Sequence, residues 1–165
     1  MQILTLPDPR LRQRAQPLAL NDPDIPFLVE QLDAALACGP GGVGIAAPQL
    51  GLLRRVVLVD CRRARHPCRH HGRMVMINPE IIEAGDSRPG REGCLSVPDW
   101  VATVQRATRI RVSFLDHRFA PREIEATGFE ARVIQHEIDH LDGILFIDRV
   151  TSTRAMVRRM AHRPR

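Results

Sequence analysis

The chain has 165 residues, 44% of them hydrophobic and 26% charged, a mix that suits one soluble domain with a single core and leaves little room for two. No stretch reaches the roughly 18 apolar residues of a bilayer-spanning helix. Residues 1–14 carry no apolar run behind a basic start, so membrane insertion and secretion are not expected. Basic side chains number 24, every one an arginine, against 19 acidic ones. The resulting charge of +5 allows weak attraction to phosphate backbones without any reading of base sequence.

Four cysteines, Cys38, Cys61, Cys68 and Cys94, fit a reducing cytoplasm, where thiols bind metal, catalyse or sit inert. In chain order, residues 1–20 hold Pro7, Pro9 and Pro17 and read as an extended arm with a turn at Pro7-Asp8-Pro9. Asp24 and Pro26 then open a helix in which Phe27, Leu28, Leu32, Ala35 and Leu36 recur at helical spacing, ending before the glycine-rich residues 39–42. Residues 56–59 and 74–77, the latter with Ile81 and Ile82, are short β-branched runs that predict strands. Between them lies a basic connection, 61–73, bearing histidine and cysteine. Ile110, Val112 and Phe114 alternate with Arg109, Arg111 and Ser113, and Ile124 stands between Glu123 and Glu125 after a turn at 116–121. This pattern predicts an antiparallel hairpin with one buried face.

A second helix is expected from Thr127 to near Gly143, with Thr127 and Glu130 as a capping box that satisfies backbone N–H groups reciprocally. Phe129, Val133, His136, Glu137 and His140 share one of its faces, and Ile134, Ile138 and Leu141 widen the apolar surface. The chain after Arg149 is rich in arginine. It reads either as a short basic amphipathic helix or as a frayed end.

Chemistry concentrates in Gln135-His136-Glu137-Ile138-Asp139-His140. Two histidines four apart on a helix stack on one face and reach a single metal ion, and the glutamate beside the first can contact water held there. On an apolar helix such groups need partners to be buried, and a metal supplies them. The best third ligand is Cys94, whose thiolate suits Zn²⁺ or Fe²⁺ and whose neighbour Gly93 permits close backbone approach. Cys38 and Cys61 read as small buried apolar residues. A second cluster of Cys68 with His66, His70 and His71 matches no zinc-module spacing and is the lesser reading. Residues 42–49 are small enough for the backbone to lie against a substrate, and Gln49 offers an amide hydrogen to a developing oxyanion.

Gly-Val-Gly-Ile-Ala-Ala-Pro-Gln at 42–49, Glu-Gly-Cys-Leu-Ser at 92–96 and Gln-His-Glu-Ile-Asp-His at 135–140 closely resemble, in that order, the three signature motifs of peptide deformylase. The opening Leu-Pro-Asp-Pro-Arg-Leu-Arg looks like that family's N-terminal arm, and the resemblance runs from about residue 3 to residue 150. It implies an α+β fold in residues 1–165, one catalytic domain of antiparallel strands around helix 128–141, with 150–165 as a basic tail. Cys94, His136 and His140 would bind one divalent ion, Fe²⁺ natively and Zn²⁺ or Ni²⁺ in exchange, with water or hydroxide as fourth ligand. Glu137 would serve as general base and then general acid. Gln49 and the Leu95 N–H would hold the oxyanion. Val43, Gly44 and Gly93 would pair with the backbone of an N-formylmethionyl peptide, and Val43, Phe129 and Val133 would receive the methionine side chain.

By the same resemblance Arg106 would pair with Glu92 behind the cysteine, and Asp139 would support the metal site from outside. The family acts in the cytoplasm on nascent chains at the ribosome, which the tail would contact without sequence-specific nucleic-acid binding. One departure stands out: many members carry an arginine three residues after the proline of the cysteine motif, where this chain has Val101. Two rival readings follow. One is a related hydrolase with shifted acyl or peptide specificity. The other is a basic ribosome- or RNA-binding module whose metal is structural.

Overall fold

The computed structural model describes residues 2–38, 41–150 and 152–158. In chain order these form α1 (Ile25–Cys38), β1 (Gly44–Ala46), β2 (Val56–Asp60), β3 (Arg73–Cys94), β4 (Val97–Leu115), β5 (Pro121–Thr127), α2 (Gly128–Leu141) and β6 (Met156–Arg158), with short 3₁₀ turns between them. The strands make one antiparallel sheet in the order β1-β2-β3-β4-β5, with β6 added to β4. The fold is α+β, as expected. No helix among the described residues is long and apolar enough to cross a membrane.

All five residues of β2 are buried because the sheet carries a helix on each face. Val57 and Val59, with Met74 and Met76 of β3, pack with Ala131, Ile134, Ile138 and Leu141 of α2. Val56 and Leu58, with Val75 and Ile77, pack with Leu28, Leu32 and Leu36 of α1. The period of two sends alternate residues to opposite layers, and each fully buried aliphatic side chain contributes about 1.5–3 kcal/mol. Phe27, expected in the α1 stripe, is instead about half exposed. In the β4–β5 hairpin Val112 lies opposite Ile124, and Ile110, Val112 and Phe114 are buried.

Three further expectations are corrected. Thr127 makes no capping bond: the helix opens on Gly128 at φ 58°, and Glu130 is buried, accepting hydrogen bonds from His71 N at 2.8 Å and His71 Nδ1 at 2.7 Å. After a 3₁₀ turn at Thr153–Ala155 the described part of the tail forms β6, not an amphipathic helix, with Val157 opposite Val101, while 151 and 159–165 lie outside the described residues. Cys38 is exposed, whereas Cys61 is buried as expected, and burial, helped by nearby Glu130 and Cys68, pushes the Cys61 thiol up to about 12. An aromatic disulfide reagent is therefore expected to titrate Cys38 in its fastest phase and leave Cys61 untouched until the protein unfolds. A fast phase that survives Cys38→Ser would contradict this.

The lesser cluster does not converge either. His71 is engaged by Glu130, the Cys68 sulfur lies 4.0 Å from the Cys61 carbonyl, and His70 Nδ1 accepts from Gly72 N–H.

Candidate active site

Helix α2 presents His136, Glu137 and His140 to the end of β3, where a tight turn at Leu95 and Ser96 reverses the chain into β4. The register slips between Gly93 and Cys94, and this local irregularity re-aims the cysteine toward the helix. Cys94 Sγ lies 3.2 Å from His140 Nε2, and one ligand atom from each of Cys94, His136 and His140 falls within 4.8 Å of the others. Among the described residues this is the one such convergence of three histidine, cysteine or acidic groups.

The donor set fits a borderline divalent ion. Burial alone would raise the Cys94 thiol, but the two imidazoles outweigh it and hold the group well below the ordinary thiol range, in the thiolate form that binds metal. Burial pulls His136 the other way, and Cys94 and Glu92 more than offset it, so that imidazole sits well above its usual value in the absence of an ion. His136 Nδ1 faces Glu92 Oε2 at 2.9 Å, which reserves the other ring nitrogen for the centre. His140 Nδ1 is buried with no hydrogen-bond partner. With no fourth convergent ligand among the described residues, the site has the open form of a catalytic rather than a structural centre.

A cavity of about 200 Å³ opens beside these groups. Its lining includes Val43, Gly44, Gln49, Gly93, Leu95, Phe129, Val133 and Glu137 as well as Cys94 and His136. Every substrate-facing residue expected from the sequence therefore borders one space. Val133 is buried within it and Phe129, 43% exposed, stands at the rim. Gln49 is held in place: its Oε1 accepts from Ala46 N–H at 2.9 Å, while its Nε2 donates to Ser96 Oγ at 3.1 Å and points at Cys94 Sγ at 3.6 Å. Ser96, fully buried, was not expected here.

Glu137 is buried, and that burial pushes its carboxyl up to about 7 against the opposing pull of His136 and His140. A carboxyl poised near neutrality suits proton transfer in both directions. Gly44 makes room for it, since a Cβ at that position would lie 2.5 Å from Glu137 Oε1. Gly44→Ala is expected to lower kcat at least about tenfold by displacing that oxygen, with metal content unchanged. Unaltered turnover would show that the carboxylate position is not critical.

Behind this cluster lies a buried ionic network. Glu92 accepts from Arg106 Nε at 2.9 Å and Nη2 at 3.0 Å, and from Arg132 Nη1 at 2.8 Å. Burial opposes ionisation of Glu92, but His136 and Arg106 hold its carboxyl at about 2. Arg106 reaches on to Asp139 at 2.5 Å, and Arg149 grips the same carboxylate. Asp139 thus braces Arg106 and hydrogen-bonds neither His136 nor His140. Arg132 and Arg149 carried no sequence signal, being two among 24 arginines.

The family model for polypeptide deformylase matches residues 1–156. The peptide deformylase of Alkalilimnicola ehrlichii is 45% identical over 150 residues, covering 90% of this chain and 80% of that protein. Peptide deformylase 2 of Vibrio cholerae is 40% identical over 148 residues, covering 90% and 84%. Among solved structures, a peptide deformylase from Legionella pneumophila superposes with a TM-score of 0.83 at 37% identity, over 91% of this chain and 85% of that one. The class I type b peptide deformylase of Acinetobacter baumannii with Met-Ala-Ser bound gives 0.82 at 36% identity, over 91% and 98%. The chain belongs to the peptide deformylase family: it is a metal-dependent hydrolase that removes the formyl group from the N-terminus of nascent polypeptides.

Proposed function

We propose that Cys94, His136 and His140 hold one divalent ion, Fe²⁺ in the cell, and that Glu137 carries the proton for hydrolysis of the formyl amide. The observation that supports this most directly is the convergence of the three ligand atoms within 4.8 Å beside a buried glutamate on the same helix. A thiolate with two imidazoles also accepts Zn²⁺ and Ni²⁺, so the choice of iron rests on the family resemblance. When bound, the ion supplies Lewis acidity toward water and toward the formyl carbonyl.

The protein groups divide the remaining work. Glu137 takes a proton from the attacking water and returns it to the amine nitrogen as the carbon–nitrogen bond breaks, leaving formate and a free N-terminal methionine. Gln49 Nε2 and the Leu95 N–H donate to the carbonyl oxygen as it gains charge, each such donor typically supplying roughly 3 kcal/mol in the transition state. The backbone at Val43, Gly44 and Gly93 pairs with the peptide as an added strand would. The methionine side chain lies against Val43, Val133 and Phe129. Met-Ala-Ser bound in the Acinetobacter baumannii structure supports a short peptide as the ligand.

Residues 1–165 act as one catalytic domain in the cytoplasm, and the arginine-rich tail, with Arg154 and Arg158 exposed, meets ribosomal RNA by charge alone. A shifted acyl or peptide preference is the second reading, favoured by Val101, which pairs across the sheet with Gly93 on one side and Val157 on the other and leaves no cation at that position. The deciding experiment is formate release from formyl-Met-Ala-Ser after anaerobic reconstitution with iron. Rapid release, with the acetyl analogue left intact, is expected. Comparable cleavage of both substrates would favour the second reading, and no release from either would overturn the first.

A further inference from the structure

Arg132 has so far appeared only as one donor to Glu92, yet its side chain is among the most heavily bonded next to the cleft. It leaves α2 one turn before His136, lines the cavity, and is only 14% exposed. Nη1 donates to Glu92 Oε1 at 2.8 Å and to the Val104 carbonyl at 2.9 Å, with a longer contact to the Gly90 carbonyl at 3.5 Å. Nη2 donates to the Arg88 carbonyl at 2.9 Å. The guanidinium also fills the space in front of Gly90, where a Cβ would lie 2.6 Å from Arg132 Cζ and Nη2. One planar cation therefore ties both strands of the β3–β4 ribbon to the metal-binding helix.

That tie falls where β3 has little other support: Ala102 and Val104 of β4 pack with Leu145 and Phe146, while residues 86–91 of β3 are mostly exposed. Beyond Asn78, β3 is paired only with β4 among the described residues, so its second edge is open, and residues 91–94 border the cavity. Gln135 binds both backbone groups of Ala107, farther along β4, and does not reach β3. Glu92 keeps Arg106 and His136 as partners whether or not Arg132 is present. Removing Arg132 therefore costs β3 its carbonyl anchors while the histidine ligand keeps its carboxylate.

We propose that Arg132 is a positioning residue: it fixes the open edge of β3 at the height where the peptide beyond its first residue pairs, and so makes the enzyme favour extended peptides over formyl-methionine alone. This rests on the added-strand reading of peptide binding given above. Ladder bonds to a strand edge strengthen when that edge is already fixed, because less ordering remains to be done on binding. A lysine cannot replace the planar fork, since it is a point charge on a flexible stem.

The test compares formate release from formyl-Met-Ala-Ser and from formyl-methionine amide in wild-type, Arg132→Met and Arg132→Lys enzymes, with iron content measured on each. For Arg132→Met the tripeptide KM is expected to rise about tenfold with kcat within about threefold, the scale of losing charge-assisted hydrogen bonds. The amide kinetics and the iron content stay as in wild type, and Arg132→Lys recovers part of the loss. Equal losses on both substrates, or an unchanged tripeptide KM, would overturn the proposal. If Arg132→Met does not fold, Arg132→Lys carries the same comparison. Wild-type enzyme that releases no formate from either substrate would overturn the activity itself, an outcome visible before any variant is made.

Discussion

Glu137→Gln is expected to lower kcat for formyl-Met-Ala-Ser by ~10³–10⁴-fold, near the upper end for one acid–base group because the same side chain handles both proton transfers. The amide keeps the size and most of the shape of the carboxylate but neither takes nor returns a proton. It should also leave the fold intact. Glu137 is buried, its carboxyl is pushed up to about 7 by that burial, and Oε2 has no hydrogen-bond partner. A neutral amide in that place removes the cost of a buried charge, so thermal stability is expected to hold or rise. The measurements are steady-state formate release, metal stoichiometry and a melting curve on the same preparation. Turnover near the wild-type rate with metal in place would require a different proton carrier.

Cys94→Ala is expected to abolish formate release and to weaken metal binding by more than the roughly 10–100-fold that follows loss of an outer-shell partner. The cysteine is the one ligand not supplied by α2, so without it the site keeps two imidazoles on one helix and nothing opposite them. Its loss also removes the thiolate beside which His136 is held above its ordinary range. Metal content after dialysis against a weak chelator, read alongside activity, separates this from a general loss of structure. Full activity in Cys94→Ala would exclude the sulfur from the centre.

Both helices, β2 and the β4–β5 hairpin were legible because each puts a regular apolar pattern against the core: period 3.6 in residues such as Leu28, Leu32 and Leu36, and period two in Ile110, Val112 and Phe114. The distal half of the β3–β4 ribbon was not. Gly85, Pro89, Gly90 and Gly93 weaken any strand pattern there, and residues 82–91 bury almost nothing. Pairing between the two strands holds it, from Glu83 opposite Arg111 to Gly93 opposite Val101. The failure at Thr127 has a similar cause: Glu130 is taken by His71, 59 residues away in the chain, and no local rule anticipates that partner.

Of the candidate site, His136, Glu137 and His140 stood out because such groups at fixed spacing have few other uses on an apolar helix, Cys94 followed from its thiolate and its neighbour Gly93, and Val43, Gly44, Gly93, Phe129 and Val133 followed from the resemblance. The outer network was readable only at Arg106, Glu92 and Asp139, through the resemblance. Arg132, Arg149 and Ser96 depend on strand register and on where the chain runs after α2, and their residue types occur widely along the sequence. The exposure of Cys38 was missed for a comparable reason. It closes α1 at a position where the apolar stripe has already ended, and a cysteine's type alone does not show which side of a helix end it occupies.

The most direct check is X-ray absorption at the iron edge on anaerobically loaded protein. One sulfur neighbour, the multiple scattering of two imidazoles and otherwise only light oxygen or nitrogen scatterers are expected. A shell without sulfur, or one with a second sulfur or a third imidazole, would contradict it.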